Sequence, residues 1–254
     1  MQSHQLVVEK FTGDGVSADM ITSAANLFSS HYGIWGPETS QAGRRVRMSP
    51  NTLRAQVFPE ASQSQCLYVR ARGPNDELTG NAFACTWEFA VGEKKITVCW
   101  ITQLVVAAGY RNRRIATRML ESLKDDSFDT YGIASSQPFA VMAACRAFGR
   151  GIERASVNIA REYSVACLMK APIPYLAHAG FIDGGTNLTI DTRFYVDHTE
   201  PKKALEILRQ PKAGDPVGRR WPLGRLPSGH EYLMMIGVHP AVRHQSDHRY
   251  EFLC

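Results

Sequence analysis

The sequence predicts an α/β (α+β) protein with a mixed, mostly antiparallel central sheet flanked by helices. Three observations carry that reading. β-rich runs follow one another at residues 66–71, 81–91 and 96–106. The hydrophobic period switches from two to about 3.6 immediately after Val106. Strand and helix signals then take turns along the rest of the chain.

Residues 5–11 read as a short strand, and Ser17 stands at the N-cap of a helix over 18–32, with Met20, Ile21, Ala24, Ala25 and Phe28 at helical spacing. Residues 33–65 are interrupted by Gly36-Pro37, Gly43, Ser49-Pro50 and Pro59, and predict a lid-like crossing with a short helix starting near Pro50. Turn clusters at Gly73-Pro74-Asn75-Asp76 and Gly92-Glu93-Lys94-Lys95 fold the three β runs into an antiparallel meander. Beyond it, Ile115, Ala116, Met119, Leu120 and Leu123 line one helix face, and Arg113, Arg114, Arg118 and Glu121 the other. A strand at 131–136 leads to a helix that Pro138 opens and that runs through Phe148; Gly149 and Gly151 stop it before a second helical stretch at 152–169. Pro172, Pro174 and Gly180 punctuate the next loop. Residues 181–197 look extended around a Gly184-Gly185 turn, a helix covers 201–208, and a Pro/Gly-rich loop at 211–229 precedes an apolar strand at 231–238.

With 254 residues, 44% of them hydrophobic and 21% charged, the composition is that of a globular chain and excludes disordered, collagen-like and small disulfide-framed classes. The length reads as a single domain, 1–254, ending in a polar tail, 239–254. The six cysteines, Cys66, Cys85, Cys99, Cys145, Cys167 and Cys254, form no CxxC pair and read as reduced thiols. The first ten residues lack a signal-peptide pattern, and no uncharged apolar run approaches membrane-spanning length, so a cytoplasmic protein without a membrane partner is expected. That makes the sequon Asn187-Leu188-Thr189 inert. A net charge of +5 is a weak electrostatic footprint, and no basic patch interleaves with aromatics, so no nucleic-acid partner is expected. His239, His244 and His248 are spaced like ligands but stand alone in a polar tail, and no metal is expected.

The chemistry concentrates in residues 103–120. A strand that turns tightly into a helix leaves backbone N–H groups without partners, and the helix dipole adds partial positive charge there. Four arginines, Arg111, Arg113, Arg114 and Arg118, crowd the same turn and offer forked donors to a ligand with several phosphates. A solvated amphipathic helix face is the alternative reading of such a run.

This segment resembles motif A of the GCN5-related N-acetyltransferases, whose pattern is Leu-x-Val-x-Pro-x-Tyr-Arg-Gly-x-Gly-Ile-Gly/Ala. Leu104, Val106, Tyr110, Arg111, Ile115 and Ala116 fall at its places. The order of elements from about residue 5 to 238 is also similar: strand, helices, three-strand meander, motif helix, strand, helix and a closing β pair. The resemblance implies acetyl-CoA or another acyl-CoA as acyl donor. Leu104, Val105 and Val106 would pair with its pantetheine arm, and Arg111, Asn112, Arg113, Arg114, Ile115, Ala116 and Thr117 would wrap its pyrophosphate. The ending, Trp221-Pro222-Leu223-Gly224 with Gly229-His230-Glu231-Tyr232-Leu233, is similar to an uncharacterised fungal branch of that superfamily.

Departures from the pattern are informative. Ala108 stands where proline is usual, and Asn112 and Arg114 hold the two glycine positions of the loop. A side chain there either obstructs the pyrophosphate or imposes a left-handed backbone costing about 1–2 kcal/mol; Asn bears that conformation best after Gly. Arg114 either swings its guanidinium over the phosphates, the preferred reading, or blocks the site.

Acyl transfer to an amine needs a base for the ammonium and a proton for the leaving thiolate. The resemblance implies a Glu on the fourth strand and a Tyr in the helix after the fifth, but Trp100 and Cys145 stand near those places. The remaining catalytic candidates are Ser136 beside Ser135, which could donate to the thioester or cap the next helix, Cys145, which could equally be a packed core residue, and Glu88, which strand alternation could place in solvent. Tyr163, Tyr175 and His178 could line an acceptor pocket. The expected function is acyl-CoA-dependent N-acyl transfer to a small amine or amino-acid-like acceptor by a monomer or homodimer. The alternatives are a CoA-binding protein with reduced catalysis, or another thioester reaction such as malonyl-CoA decarboxylation.

Overall fold

The structure is a computed structural model that describes residues 6–181, 187–211 and 220–238. The Gly184-Gly185 turn, the trio His239, His244 and His248, Cys254 and most of the 211–229 loop's first half lie outside the described residues, as does the tail, 239–254. Chain order runs β1 (Val7–Thr12), α1 (Ala18–His31), α2 (Pro50–Val57), β2 (Cys66–Arg72), β3 (Leu78–Val91), β4 (Lys94–Val106), α3 (Ile115–Glu121), β5 (Thr130–Ser135), α4 (Pro138–Phe148), α5 (Asn158–Leu168), α6 (Pro174–Ala177), β6 (Gly180–Phe181), β7 (Thr189–Asp191), α7 (Thr199–Arg209) and β8 (His230–Gly237). Among the described residues no helix is long and apolar enough to cross a membrane.

The eight strands form one sheet in the order β1-β2-β3-β4-β5-β8-β7-β6. The expected meander is β2, β3 and β4, paired antiparallel. The crossover through α3 makes β4 and β5 parallel, and every other pairing among the described residues is antiparallel. In β3, residues 79–85 are buried consecutively, which requires cover on both faces of the sheet; toward Val91 the strand returns to alternation and meets solvent on one face. Helix starts follow the sequence signals: the Ser17 hydroxyl accepts from Met20 N–H, Ser49 caps α2 through Thr52 N–H, and Pro138 occupies the first turn of α4.

Some expectations change. The 152–169 stretch divides into a short 3₁₀ turn, Ile152–Arg154, and α5, because the segment between them lacks a capping side chain and runs extended at Ala155. The extended 181–197 reading reduces, among the described residues, to Phe181 in β6, three residues of β7 and the isolated Trp35–Val196 bridge. The 172–180 loop contains the one-turn helix α6.

Two packing features position the site. Trp100 of β4 is fully buried and lies over Gly132, its partner on β5; a Cβ at Gly132 would approach the indole to 2.1 Å. A smaller apolar cluster of Leu27, Phe28, Val46, Val105, Ala107 and Val196 ties the end of α1 to the end of β4. Beside it, Phe28 stacks on Tyr32 at 4.3 Å and Trp35 meets Phe194 edge-on at 5.4 Å.

Gly132→Ala is expected to destabilise the fold by about 2–3 kcal/mol, because a fully enclosed indole cannot yield without strain. Chemical denaturation of wild type and variant measures it.

Candidate active site

β4 and β5 pair from Val98–Thr130 to Ile101–Ile133 and then part, although β4 continues to Val106 and β5 to Ser135. A bulge marks the parting: Phe83 of β3 faces Gln103 and Ala84 faces Ile101, so Thr102 is unmatched. Beyond it β4 stays bonded to β3 on one side and opens its other edge to a cavity of about 890 Å³. Leu104, Val105 and Val106 line that cavity, with Ser135 and Ser136 across the gap.

The turn after β4 borders the same space. Asn112 and Arg114 both adopt left-handed backbone, with φ of 64° and 62°, so side-chain-bearing residues keep the conformation that glycine would supply. Arg114 is the N-cap of α3 and offers no side-chain cap, leaving the first-turn amides of Ile115, Ala116 and Thr117 facing a cavity that all three line. Alternating left-handed residues aim successive N–H groups at one concavity, an arrangement suited to an anion.

The four clustered arginines have different placements. Arg111 and Arg114 line the cavity, whereas Arg113 lies over the Tyr110 ring at 5.2 Å and Arg118 projects to solvent outside the lining. Arg111 also acts as a bracket: it donates to the carbonyls of Val106 and His31 and pairs with Glu200 of α7 at 3.6 Å. Three cations that the sequence did not single out, Arg45, Arg146 and Lys203, join the lining, so five cations face two carboxylates, Asp197 and Glu200. These residues fit a polyphosphate-bearing, extended ligand such as an acyl-CoA: amides and cations for the phosphates, an open strand edge for an amide-rich arm. Among the described residues no group of three or more His, Cys, Asp or Glu could hold a metal ion.

The catalytic candidates separate on geometry. Ser136 lines the cavity, and the neighbouring Ser135 hydroxyl accepts from Gln137 N–H ahead of α4. Cys145 faces the core with no exposure; burial raises its thiol to about 12, and it does not reach the cavity lining. Glu88 lies on the solvent face of β3, paired with Lys95 at 2.6 Å, also away from the lining. Helix phase and strand alternation thus take Cys145 and Glu88 out of the site. Of the acceptor-pocket residues, Tyr163 is buried near Phe89 and the exposed His178 turns back on Pro174, but the Tyr175 hydroxyl donates to the Thr102 carbonyl at the bulge, 3.0 Å away.

The sequence reading missed Glu231. It lies on β8 opposite Ile190 of β7, is 5% exposed, sits beside Ser136 and Thr192, and does not itself reach the cavity lining. Burial raises its carboxyl from the usual range to about 7. The phenols of Tyr32 and Tyr175 feel its charge and are themselves raised, chiefly by burial. A charged residue directly ahead of the apolar run Tyr-Leu-Met-Met-Ile was the available signal.

The element order, with the parallel pair parting over a cavity at the end of β4, is the order that the resemblance implied. It is a mixed sheet flanked by helices, similar to that of the GCN5-related N-acetyltransferases. No protein-family profile and no curated protein sequence matches the chain. Similar solved structures include an aminoglycoside acetyltransferase from an uncultured soil metagenomic sample, 20% identical over 47% of this chain and 69% of that chain, at a TM-score of 0.31. A second such enzyme from a soil metagenomic sample, in complex with sisomicin, is 9% identical over 56% of this chain and 86% of that chain, at 0.40. An aminoglycoside 6'-N-acetyltransferase from Acinetobacter baumannii is 12% identical over 47% and 69%, at 0.31. The architecture itself is given by the strand order and the parted strands.

Arg114→Gly is expected to raise the unfolding free energy by about 1 kcal/mol, the relieved left-handed strain exceeding the entropy gained by the unfolded chain; urea denaturation reads it. Glu231 carries a second expectation. Its folded pKa lies above the unfolded one, so the native state holds a proton that the unfolded chain has released between about pH 4.5 and 7, and this group's contribution to stability is lost as pH rises through that window. Glu231→Gln removes that dependence. The variant should match wild type near pH 4 and exceed it by about 3 kcal/mol at pH 8 in paired denaturation curves.

Proposed function

We propose that the protein is an acyl-CoA-dependent N-acyltransferase acting on a small amine or amino-acid-like acceptor. The observation that carries this reading is the convergence, on one cavity, of the open β4 edge at Leu104–Val106 with the uncapped, arginine-flanked start of α3. A thioester whose arm lies along that edge has its carbonyl near the place where β4 and β5 part, beside Thr102 and Ser136. The phosphates then reach the amides of residues 112–117, with Arg114 as a direct donor. Asp197 and Glu200 supply negative charge on the α7 wall, which favours a cationic amine as acceptor. The five described cysteines are free thiols, which fits the reducing cytoplasm.

Trp100 and Cys145 in place of the family's acidic and phenolic groups favour a second reading, a CoA-binding protein of reduced activity on the same fold. Calorimetric titration with acetyl-CoA, together with release of free thiol on addition of an amine panel, decides between them: binding with amine-dependent thiol release supports transfer, and binding without it supports the second reading. Arg114→Glu should weaken acetyl-CoA binding roughly tenfold or more by repelling phosphate, whereas Arg118→Glu, outside the cavity lining, should leave it within about twofold.

A further inference from the structure

The motif resemblance puts Arg111 among the residues that would wrap a pyrophosphate, but its guanidinium is committed to the protein. Nε donates to the Val106 carbonyl at 3.3 Å, one terminal nitrogen donates to the His31 carbonyl, and the other lies 3.6 Å from the Glu200 carboxylate. All three guanidinium nitrogens thus face protein acceptors. One side chain ties the end of β4 to the end of α1 and the first turn of α7, and all four residues line the cavity.

The Val106 carbonyl matters because of the direction it faces. Ala107 N–H donates to the carbonyl of Thr79, the residue opposite it on β3. Bonded and non-bonded pairs alternate along an antiparallel ladder, so Val105–Asn81 is bonded to β3, whereas Val106–Gly80 and Leu104–Ala82 turn their backbone groups outward. The open edge beside the cavity therefore consists of the N–H and C=O groups of Leu104 and Val106. The carbonyl of Thr102, which precedes them, lies outside the lining and is taken by the Tyr175 hydroxyl. Arg111 thus covers one of the two outward carbonyls at which the edge can accept a hydrogen bond from an amide-rich arm.

We infer that Arg111 is a removable strap over the β4 edge: an arm that pairs with Val106 displaces the guanidinium and unties α1 and α7 from the end of β4. This rests on the acyl-CoA reading, which supplies an arm with amide N–H donors. The contacts suit displacement. The Arg111 side chain is 39% exposed and Glu200 70%, so water replaces their ion pair at little cost. The sign is opposite to that of a phosphate ligand, because removing the guanidinium helps the arm to bind.

The test uses the full chain and S-acetylpantetheine, an uncharged arm without phosphates, so that attraction between ligand charge and the arginines does not contribute. ¹H–¹⁵N NMR titrations give its Kd for wild type, Arg111→Ala and Glu200→Gln, beside calorimetric titrations of wild type with acetyl-CoA. Arg111→Ala should bind S-acetylpantetheine about fivefold more tightly, the equivalent of one net hydrogen bond that no longer has to be displaced. Glu200→Gln keeps the guanidinium, removes its ion pair and should bind about twofold more tightly. In wild type, saturation with S-acetylpantetheine should speed solvent exchange of the Arg111 Nε–H, the signal that Arg111→Ala removes. Should Arg111→Ala fail to fold, Glu200→Gln and the Nε–H signal decide. Variants that bind S-acetylpantetheine no more tightly than wild type, or an Nε–H signal unchanged at saturation, overturn the strap. So does wild type that binds acetyl-CoA while neither it nor the variants bind S-acetylpantetheine, and in each of these cases the acyl-CoA reading stands. Wild type that binds neither ligand overturns both.

Discussion

The structure depends on the parallel pairing of β4 and β5 being short. Two parallel strands joined through a helix share a right-handed crossover and twist, and here they remain bonded only from Val98–Thr130 to Ile101–Ile133. The bulge at Thr102 turns β4 aside while β3 continues to hold it. What would otherwise be a sealed sheet interior becomes a cleft with a rigid polar edge. The left-handed turn at residues 112–114, the end of β5 and the α7 wall are all arranged around that opening.

The cleft is electrostatically divided. Cations and uncapped amides gather at the α3 side, while Tyr32, Ser135 and Ser136 add hydroxyl groups elsewhere in the lining. An anion is attracted to the first of these. The turn carries a stability cost in the left-handed backbone of Asn112 and Arg114, and Glu231, buried behind Ser136, carries one in desolvation.

Much of this was legible in the sequence. The meander announced itself through alternation and turn clusters, and the switch of period after Val106 placed the strand-to-helix turn correctly, because both signals are local. The left-handed residues were legible too, since the two glycine positions stood out once the motif was aligned. The acid and base candidates were not, because proximity to them depends on long-range register. Cys145 and Glu88 were near the motif in sequence but on the wrong helix phase and sheet face. Glu231 is far from Ser136 in sequence, and only the β5–β8 pairing brings the two side by side. Arg45, Arg146 and Lys203 were hidden for the same reason, as isolated charges on three separate segments.

Trp100 over Gly132 couples two positions of the parallel pair. An acidic side chain placed at residue 100 would replace a fully buried indole, leave a void above a residue that has no side chain to fill it, and bury a charge beside Trp87. The change would be tolerable only in a background where residue 132 had already grown a side chain, yet that side chain is forbidden while the indole remains. Residues 100 and 132 therefore act as one packing unit, in which a paired change keeps the space filled and either change alone does not.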